Sequence, residues 1–517
     1  MSKKQNNGDM AGMNRAKLYQ LILFPFNNGA TNVYYILTAT YIAYYGNGVL
    51  GLALMFATTM VTVMRLFDSV TDPIIGAMID RTNGKFGKFR PFMMLGNLVM
   101  AVSAFFMYFV TRLIPASMMQ VRYLAYVLIY AVYVIGYTFQ TSCTRSGQTV
   151  LTNDPKQRPL FTVFNLISSM AGMGAIQFLA PIIRRRVGDY TTAQFFDIMI
   201  PIAVGISLVM TVLAVIGIWE KDRPEYFGVA GDIKRNVEIS EYLEIIRNNK
   251  PLQRLMVAGA GCKLALAIAT NGTVLCMLYG GMMGNYDGLY LPMMIAGYLF
   301  SVPFFILTVK TSQKKGQKAA LVRYVGVALL MYTGVLALLI LWKQGVPGFN
   351  MSLYSMEGGF HLKLNLYTVL FIVFFGIGYG AYYATADMPI PMVADCSDYE
   401  TYRSGRYVPG ILGTLFSLVD KLVSSFSSTI VGFAVAAIGL STLPGGDTPY
   451  FKGMNVTVIV LFCVIPMIAW AVTLIAMKGY FLTGEKMKEI QAVNAARKQA
   501  VEGGMTLEEA MVKISAE

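Results

Sequence analysis

Apolar stretches long enough to cross a bilayer recur along this chain from Leu18 almost to Leu482, and that repetition fixes the solvent in which it folds. A spanning helix needs about 20 predominantly apolar residues, because hydrocarbon leaves no water to pair an exposed backbone group. The pattern predicts spans at approximately 18–45, 49–80, 91–113, 120–150, 160–186, 195–219, 253–282, 288–310, 319–343, 365–394, 408–440 and 453–482. Composition agrees: 56% of the 517 residues are hydrophobic and 14% charged, against the roughly 25% charged residues of soluble chains. The expected class is an all-α integral membrane protein, with the lipid bilayer as its first partner.

The formal charge of +14 does not indicate nucleic acid, because the basic residues sit in short tracts between apolar stretches instead of forming a continuous stripe. They read as topology. Lys3, Lys4, Arg15 and Lys17 precede the first span, and basic residues return in alternate connections: Arg81, Lys85, Lys88 and Arg90; Lys156 and Arg158; Lys221 to Lys250; Lys310 to Lys318. The positive-inside rule puts those connections and both termini in the cytoplasm of a bacterial-type inner membrane. Arg184, Arg185 and Arg186, at the expected outer end of the fifth span, break the pattern and have no explanation in the sequence. The first apolar run is too long for a cleaved signal. Cys143, Cys262, Cys276, Cys396 and Cys463 are spaced as buried thiols, not as a disulfide framework or metal site.

The charged segment 220–252 has six spans on either side. The expected organisation is therefore an N-terminal six-helix bundle (1–219), a cytoplasmic linker (220–252), a C-terminal six-helix bundle (253–482) and a cytoplasmic tail (483–517) that is solvated or forms an amphipathic helix. Similar basic turns follow the second and eighth spans, Arg81 to Arg90 and Lys310 to Lys318. Two halves of like layout suit a rocker-type transporter with its site near the midplane.

Charge inside the spans points to chemistry. A carboxylate at mid-bilayer costs about 2.5–3.5 kcal/mol on insertion scales, so it lines a cavity or has a partner. The second span carries Asp68 and Asp72 on one helical face. Like charges that close require a cation between them or a shared proton, and hard cations take oxygen ligands. Sodium or a proton is the expected ion; the alternative is that Asp72, beside Pro73, pairs with a basic residue and holds the loop. Arg65, one turn earlier, offsets part of that charge or clamps the helix. Asn27, Asn28, Asn32, Thr138, Thr141, Arg145, Lys263, Asp387, Asp420 and Lys421 interrupt other spans. Arg145 needs a counter-anion, either an acid of the protein or an anionic substrate. Lys421 is expected to face the cavity, and Tyr34 and Tyr35 are candidates to line it. Gly376, Gly378 and Gly380 suit close helix packing better than a phosphate loop. The single histidine, His361, leaves little scope for histidine catalysis, and no Walker loop, nucleophile elbow or H-E-x-x-H is present. An enzyme is not expected, and no cofactor.

The stretch Arg65-Leu-Phe-Asp68-Ser-Val-Thr-Asp72-Pro-Ile-Ile-Gly76, with Asp80-Arg-Thr-Asn-Gly-Lys-Phe-Gly87-Lys-Phe-Arg-Pro91, resembles the signature of the glycoside-pentoside-hexuronide:cation symporters of the major facilitator superfamily. Met392-Val-Ala-Asp395-Cys-Ser-Asp398-Tyr399 resembles that family's acidic motif after the tenth span. The resemblance implies a major facilitator fold of about twelve helices in two bundles, in a monomer. It implies a cation site at Asp68, Asp72, Thr71 and Thr138, the family's type member having Asn where this chain has Thr71. It also implies gating or structural roles for Arg65, Asp80, Arg81, Lys88, Arg90, Asp395 and Asp398. The sugar site departs from the pattern. Asn32 and Thr141 replace sugar-binding aspartates, Arg145 replaces a stacking tryptophan, Asn165 replaces an arginine, and Lys421 is retained. With Tyr35, these make Asn32, Thr141, Arg145 and Lys421 the expected substrate residues, and a hexuronide or other organic anion fits the lost acids and the gained cation. The expected function is cation-coupled symport of a glycoside, hexuronide or related small solute; the alternatives are a non-transporting receptor or a uniporter or exporter of an organic anion.

Overall fold

Long runs of Leu, Ile, Val, Phe and Met without internal charge leave helix as the backbone's way of pairing every N–H and C=O, and in the computed structural model helices account for most of the described residues. The structure describes residues 15–82, 84, 86–152, 158–223, 239–346, 348–355, 361–362, 364–386, 388–405 and 409–514. Among these, eleven helices are long and apolar enough to cross a membrane. The first expected span differs in kind. It is helical from Leu18 to Val49, but Pro25 separates α1 (Leu18–Leu23) from α2 (Phe26–Ile36), and wide π turns at Leu37–Tyr41 and Tyr45–Val49 flank α3 (Ile42–Tyr44). Proline removes a helical donor, which accounts for the first break.

The chain divides into two compact units. The first, residues 1–234 with Ser441–Leu443, continues with α4 (Leu54–Arg81), α5 (Arg90–Phe105), α6 (Met119–Leu151), α7 (Arg158–Val187) and α8 (Ala193–Ile218). Helix α2 packs on α7 and α8, α4 on α6, and α5 on α6 and α8. A buried polar network crosses this unit. Asn27 Nδ2 donates to Gln140 O (2.9 Å) and Thr144 Oγ1 (2.7 Å), Gln140 Nε2 to Asn27 Oδ1 (3.0 Å) and Thr211 Oγ1 (2.6 Å), and Asn97 Nδ2 to Ser207 Oγ (2.7 Å) and Thr211 Oγ1 (3.0 Å). Between helices in hydrocarbon such bonds fix register where apolar contact alone would let helices slide. Asn47 ties Ser441–Leu443 into the unit, donating to Ser441 O (3.1 Å) and accepting from Leu443 N (3.1 Å). Arg184 is buried, and its Nη1 donates to Gly188 O (3.2 Å) at the end of α7. That is a C-terminal capping role for a residue the sequence left unexplained.

The second unit contains α9 (Ile239–Asn248), α10 (Lys250–Ala269), α11 (Gly272–Leu275), α12 (Tyr286–Lys315) and α13 (Gln317–Leu341), then a two-residue antiparallel hairpin, β1 (Tyr354–Ser355) with β2 (His361–Leu362). It ends with α14 (Leu366–Thr385), α15 (Pro389–Ser404), α16 (Pro409–Ala437), α17 (Met454–Ile459), α18 (Ile465–Lys478), α19 (Gly484–Glu502) and α20 (Leu507–Lys513). The α14 glycines do set helix spacing. A Cβ on Gly376 would meet the Phe300 ring at 2.5 Å, one on Gly378 the Tyr332 ring at 2.8 Å, and one on Gly380 the Phe300 carbonyl oxygen at 2.6 Å.

The acidic motif follows the tenth span, with Asp395 and Asp398 on α15, which ends in a left-handed cap at Gly405. Of the two readings of the tail the structure shows the helical one, in α19 and α20, and overturns the solvated one. Asn494 Nδ2 donates to Asp398 O (2.9 Å), and the buried Arg497 donates to Tyr402 O (2.6 Å) and Ile514 O (3.1 Å), docking α19 and α20 on α15. All five cysteines are free and buried, as expected.

Candidate functional site

Helix α4 carries both acids of the expected cation site. Asp68 is 1% exposed, with Asp72 one turn further and half-buried. From α6, the fully buried Thr138 donates through Oγ1 to Asp68 Oδ1 at 2.7 Å. Its oxygen lies 3.1 Å from Thr71 Oγ1, and Thr71 also donates to Asp68 O at 3.0 Å. The structure thus joins Asp68, Thr71 and Thr138 in one cluster of hard oxygen donors, the set that suits a small unsoftened cation.

Arg65 stands on the other side of Asp68, Nη1 to Oδ2 at 3.7 Å, with its guanidinium 4.5 Å from the Tyr35 ring centroid and 5.4 Å from that of Tyr137. The rings favour a cation at that point and hold it at the edge of the acid pair.

The residues expected at the substrate are placed unevenly. Asn32 is half-buried and donates to Asn28 O (2.8 Å) and Asn28 Oδ1 (3.0 Å), while Thr141 turns its hydroxyl back to Tyr137 O (3.0 Å) and Thr138 O (3.2 Å). Tyr35 lies under Arg65. Tyr34, a candidate to line a cavity, is fully buried and lines a small enclosed one with Thr38, Tyr108 and Tyr133; its ring meets that of Tyr133 edge-on, and the Tyr133 hydroxyl donates to Tyr34 O at 2.9 Å. Lys421 is half-buried in the second unit beside Asp420. The side chains of Asp80, Arg81 and Arg145, and residues Lys85, Lys156 and Asp387, lie outside the described ones.

The motif residues Lys88 and Arg90 meet a partner that the sequence did not announce. Asp222, just past α8, is fully buried, and its carboxylate accepts from the backbone N–H groups of Lys88 (2.8 Å), Phe89 (3.0 and 3.1 Å) and Arg90 (2.9 Å). Arg90 Nε adds a fifth contact at 3.2 Å, and the guanidinium lies 4.4 Å from the Trp219 ring centroid. Phe89 is the N-cap of α5 and Arg90 its first residue, whose N–H groups have no helical partner, and a carboxylate there also meets the positive end of the helix dipole. Gly87 has φ +92°, and any Cβ on it would collide with that carboxylate. The glycine in the motif is therefore required twice. In the second unit, Asp395 lines a cavity of about 880 Å³ with Lys315, Lys318 and Arg323.

Set against known proteins, residues 25–484 match the model of a family described as MFS/sugar transport protein. The chain is 23% identical over 457 residues to the putative glycoside/cation symporter YagG of Escherichia coli K12, covering 87% of this chain and 88% of that one. It is 22% identical over 492 residues to the glucuronide carrier protein homolog of the same organism, covering 92% and 96%. Among solved structures it resembles a D-xylose-proton symporter with a TM-score of 0.54 at 13% identity, covering 88% of this chain and 97% of that one. At that identity the structural likeness speaks for the fold alone.

Proposed function

As a member of the MFS/sugar transport protein family, whose relatives carry symporter names, the chain is a multi-pass membrane protein of the major facilitator fold, and we propose that it couples uptake of a glycoside, hexuronide or related small solute to inward flow of sodium or protons. The observation that carries the proposal is the buried oxygen cluster of Asp68, Thr71 and Thr138, with Arg65 3.7 Å from Asp68. A cation entering at Asp68 and Asp72 neutralises the acid pair. It then draws the Thr138 and Thr71 hydroxyl oxygens into coordination, because a lone pair that accepts no proton is available to a metal or hydronium ion.

Helix α6 connects this event to the solute. Thr141 and Arg145 follow Thr138 by about one and two turns on the same face, so a shift of Thr138 toward the ion moves the residues proposed to read the solute, with Asn32 and Tyr35 on the neighbouring α2. Solute affinity then rises with cation concentration, and cation affinity with solute by the same factor. Both termini lie in the cytoplasm in this reading, and release of both passengers there completes alternating access. Uptake in proteoliposomes under an imposed cation gradient tests it: Asp68→Cys and Asp72→Cys are expected to abolish accumulation while sparing solute exchange. Concentrative uptake by both variants at the unaltered rate would refute the assignment.

A further inference from the structure

Where α12 gives way to α13 the chain reads Lys315-Gly316-Gln317-Lys318, and this turn forms one wall of the cavity of about 880 Å³ that Asp395 lines. Thr483 and Gly484, at the start of α19, form another. The cavity lies wholly within the second unit, beyond the end of α12 on the side that the symport reading places in the cytoplasm. None of its lining residues belongs to the cation cluster or to the residues proposed to read the solute.

Three side chains of the lining are cationic, Lys315, Lys318 and Arg323, against the one carboxylate of Asp395. Two of the three make contacts with neutral groups: Lys318 Nζ donates to Tyr480 O at 2.6 Å, and the Arg323 guanidinium lies 5.8 Å from the Tyr324 ring centroid. Two helices also begin here. Gly316 has no side chain with which to cap α13, and the Thr483 side chain makes no cap bond to α19, so the first N–H groups of each are left without a side-chain cap. Uncapped helix starts with basic side chains beside them favour a phosphate.

Acceptors stand in the same cavity. Gln317 Oε1 is buried and accepts no hydrogen bond from the described residues, and the half-buried Asp395 adds a carboxylate. Buried oxygens without a donor are uncommon in folded proteins and call for one. A ligand made only of acid groups would leave Gln317 Oε1 unpaired and be repelled by Asp395, whereas hydroxyl groups carried beside a phosphate donate to both. The cavity's volume lies within the range of small-molecule sites, about 300–1,000 Å³.

We propose that this cavity binds the phosphate ester of a small polyol, with Lys315, Lys318, Arg323 and the starts of α13 and α19 receiving the phosphate, and Gln317 and Asp395 accepting from the hydroxyls. Only its side of the membrane rests on the symport reading. Because Lys315 and Lys318 flank the α12–α13 turn and Thr483 and Gly484 open the tail, one phosphate ties the two together and steadies the start of α19. A free sugar phosphate and the headgroup of phosphatidylglycerol both present this chemistry.

The test titrates purified, delipidated full-length protein by calorimetry with glucose 6-phosphate, sn-glycerol 3-phosphate and dihexanoylphosphatidylglycerol. Glucose, glycerol, inorganic phosphate and dihexanoylphosphatidylcholine serve as controls. At least one ester is expected to bind at least tenfold tighter than every control and to slow hydrogen exchange in the peptide spanning 483–490. Saturation by a soluble ester identifies a free sugar or polyol phosphate as the source; saturation by the lipid alone identifies the headgroup. K315Q/R323Q is expected to weaken binding at least tenfold. Gly484 offers a variant that spares the fold, since a Cβ there meets nothing within 4 Å and an aspartate in a first turn suits the helix dipole. G484D, whose carboxylate competes with the phosphate, is expected to lose binding at least tenfold without a lowered thermal midpoint, while G484N retains it. No ester binding above the controls, or binding unchanged in both K315Q/R323Q and G484D, overturns the proposal. Failure of symport shows separately, as uptake indifferent to the cation gradient while ester binding stands.

Discussion

Replacing Asp222 by Asn leaves the shape of the α5 cap and removes its charge. The carboxylate receives four backbone N–H contacts, from Lys88, from Phe89 to both oxygens and from Arg90, with the Arg90 side chain as a fifth. Asparagine retains one acceptor oxygen but turns an NH2 toward N–H groups that then have no acceptor. A hydrogen bond to a charged group contributes about 1.5–3 kcal/mol, and breaking a buried charged pair costs about 3–5 kcal/mol. Because one oxygen remains, and Arg90 keeps Trp219 and Asp222 O as partners, the lower end applies, about 3 kcal/mol. At roughly 2–4 °C per kcal/mol for a unit of this size, the thermal midpoint in detergent falls by about 6–12 °C. Hydrogen exchange measured by mass spectrometry should quicken first in the peptide spanning 88–92, with the far end of α5 little changed. Gly87→Ala should reproduce the pattern, since its Cβ displaces the same carboxylate. A midpoint lowered by less than about 2 °C, with exchange at 88–92 unaltered, would mean that water replaces the carboxylate at little cost, and the capping argument would fail.

Thr138→Val removes an oxygen from the proposed cation cluster and leaves Asp68 Oδ1 without its 2.7 Å donor. The cation concentration for half-maximal uptake should rise about tenfold, equivalent to about 1.4 kcal/mol, while Thr138→Ser stays near the wild type. An equal loss in both variants would point to packing instead of coordination. In the docked tail, the Glu489 carboxyl is held below its ordinary value of 4.5 by a hydrogen bond from Lys486 and by the Tyr402 hydroxyl. A depressed carboxyl stabilises the fold above its unfolded value and loses that contribution as pH falls through the folded one. Tail docking should therefore be level from pH 8 to 6 and weaken only below about 4.5, read from the mobility of a spin label at Gln491→Cys; a midpoint near neutrality would assign the docking to another group.

The architecture was legible because hydrocarbon imposes one rule on every span, and the Asp68/Asp72 pair was legible because its members share a helix. What crosses between helices was harder to read. Asp222 looked like one charge among several in a linker, since its donors lie more than 130 residues earlier and nothing local marks them. Asn27 announced itself as a polar residue in an apolar span, but its partners Gln140 and Thr144 sit on another helix at a spacing only the packed bundle defines. Tyr34 was ambiguous for a related reason: a tyrosine serves core packing and a cavity wall equally well, and here it does both, against Tyr133 and a small enclosed cavity. The tail misled through its charge. Arg497 read as solvated, yet it grips Tyr402 O, one of the carbonyls that the last turn of α15 leaves unpaired.

That grip has a practical side. One guanidinium bridges the carbonyls of Tyr402 and Ile514, so the turn after α20 is coupled in series to the C-terminal end of α15. A fluorophore or spin label attached near Ile514 would travel with that helix instead of tumbling on a slack tether. It would report conformational cycling in real time without disturbing the membrane-embedded residues.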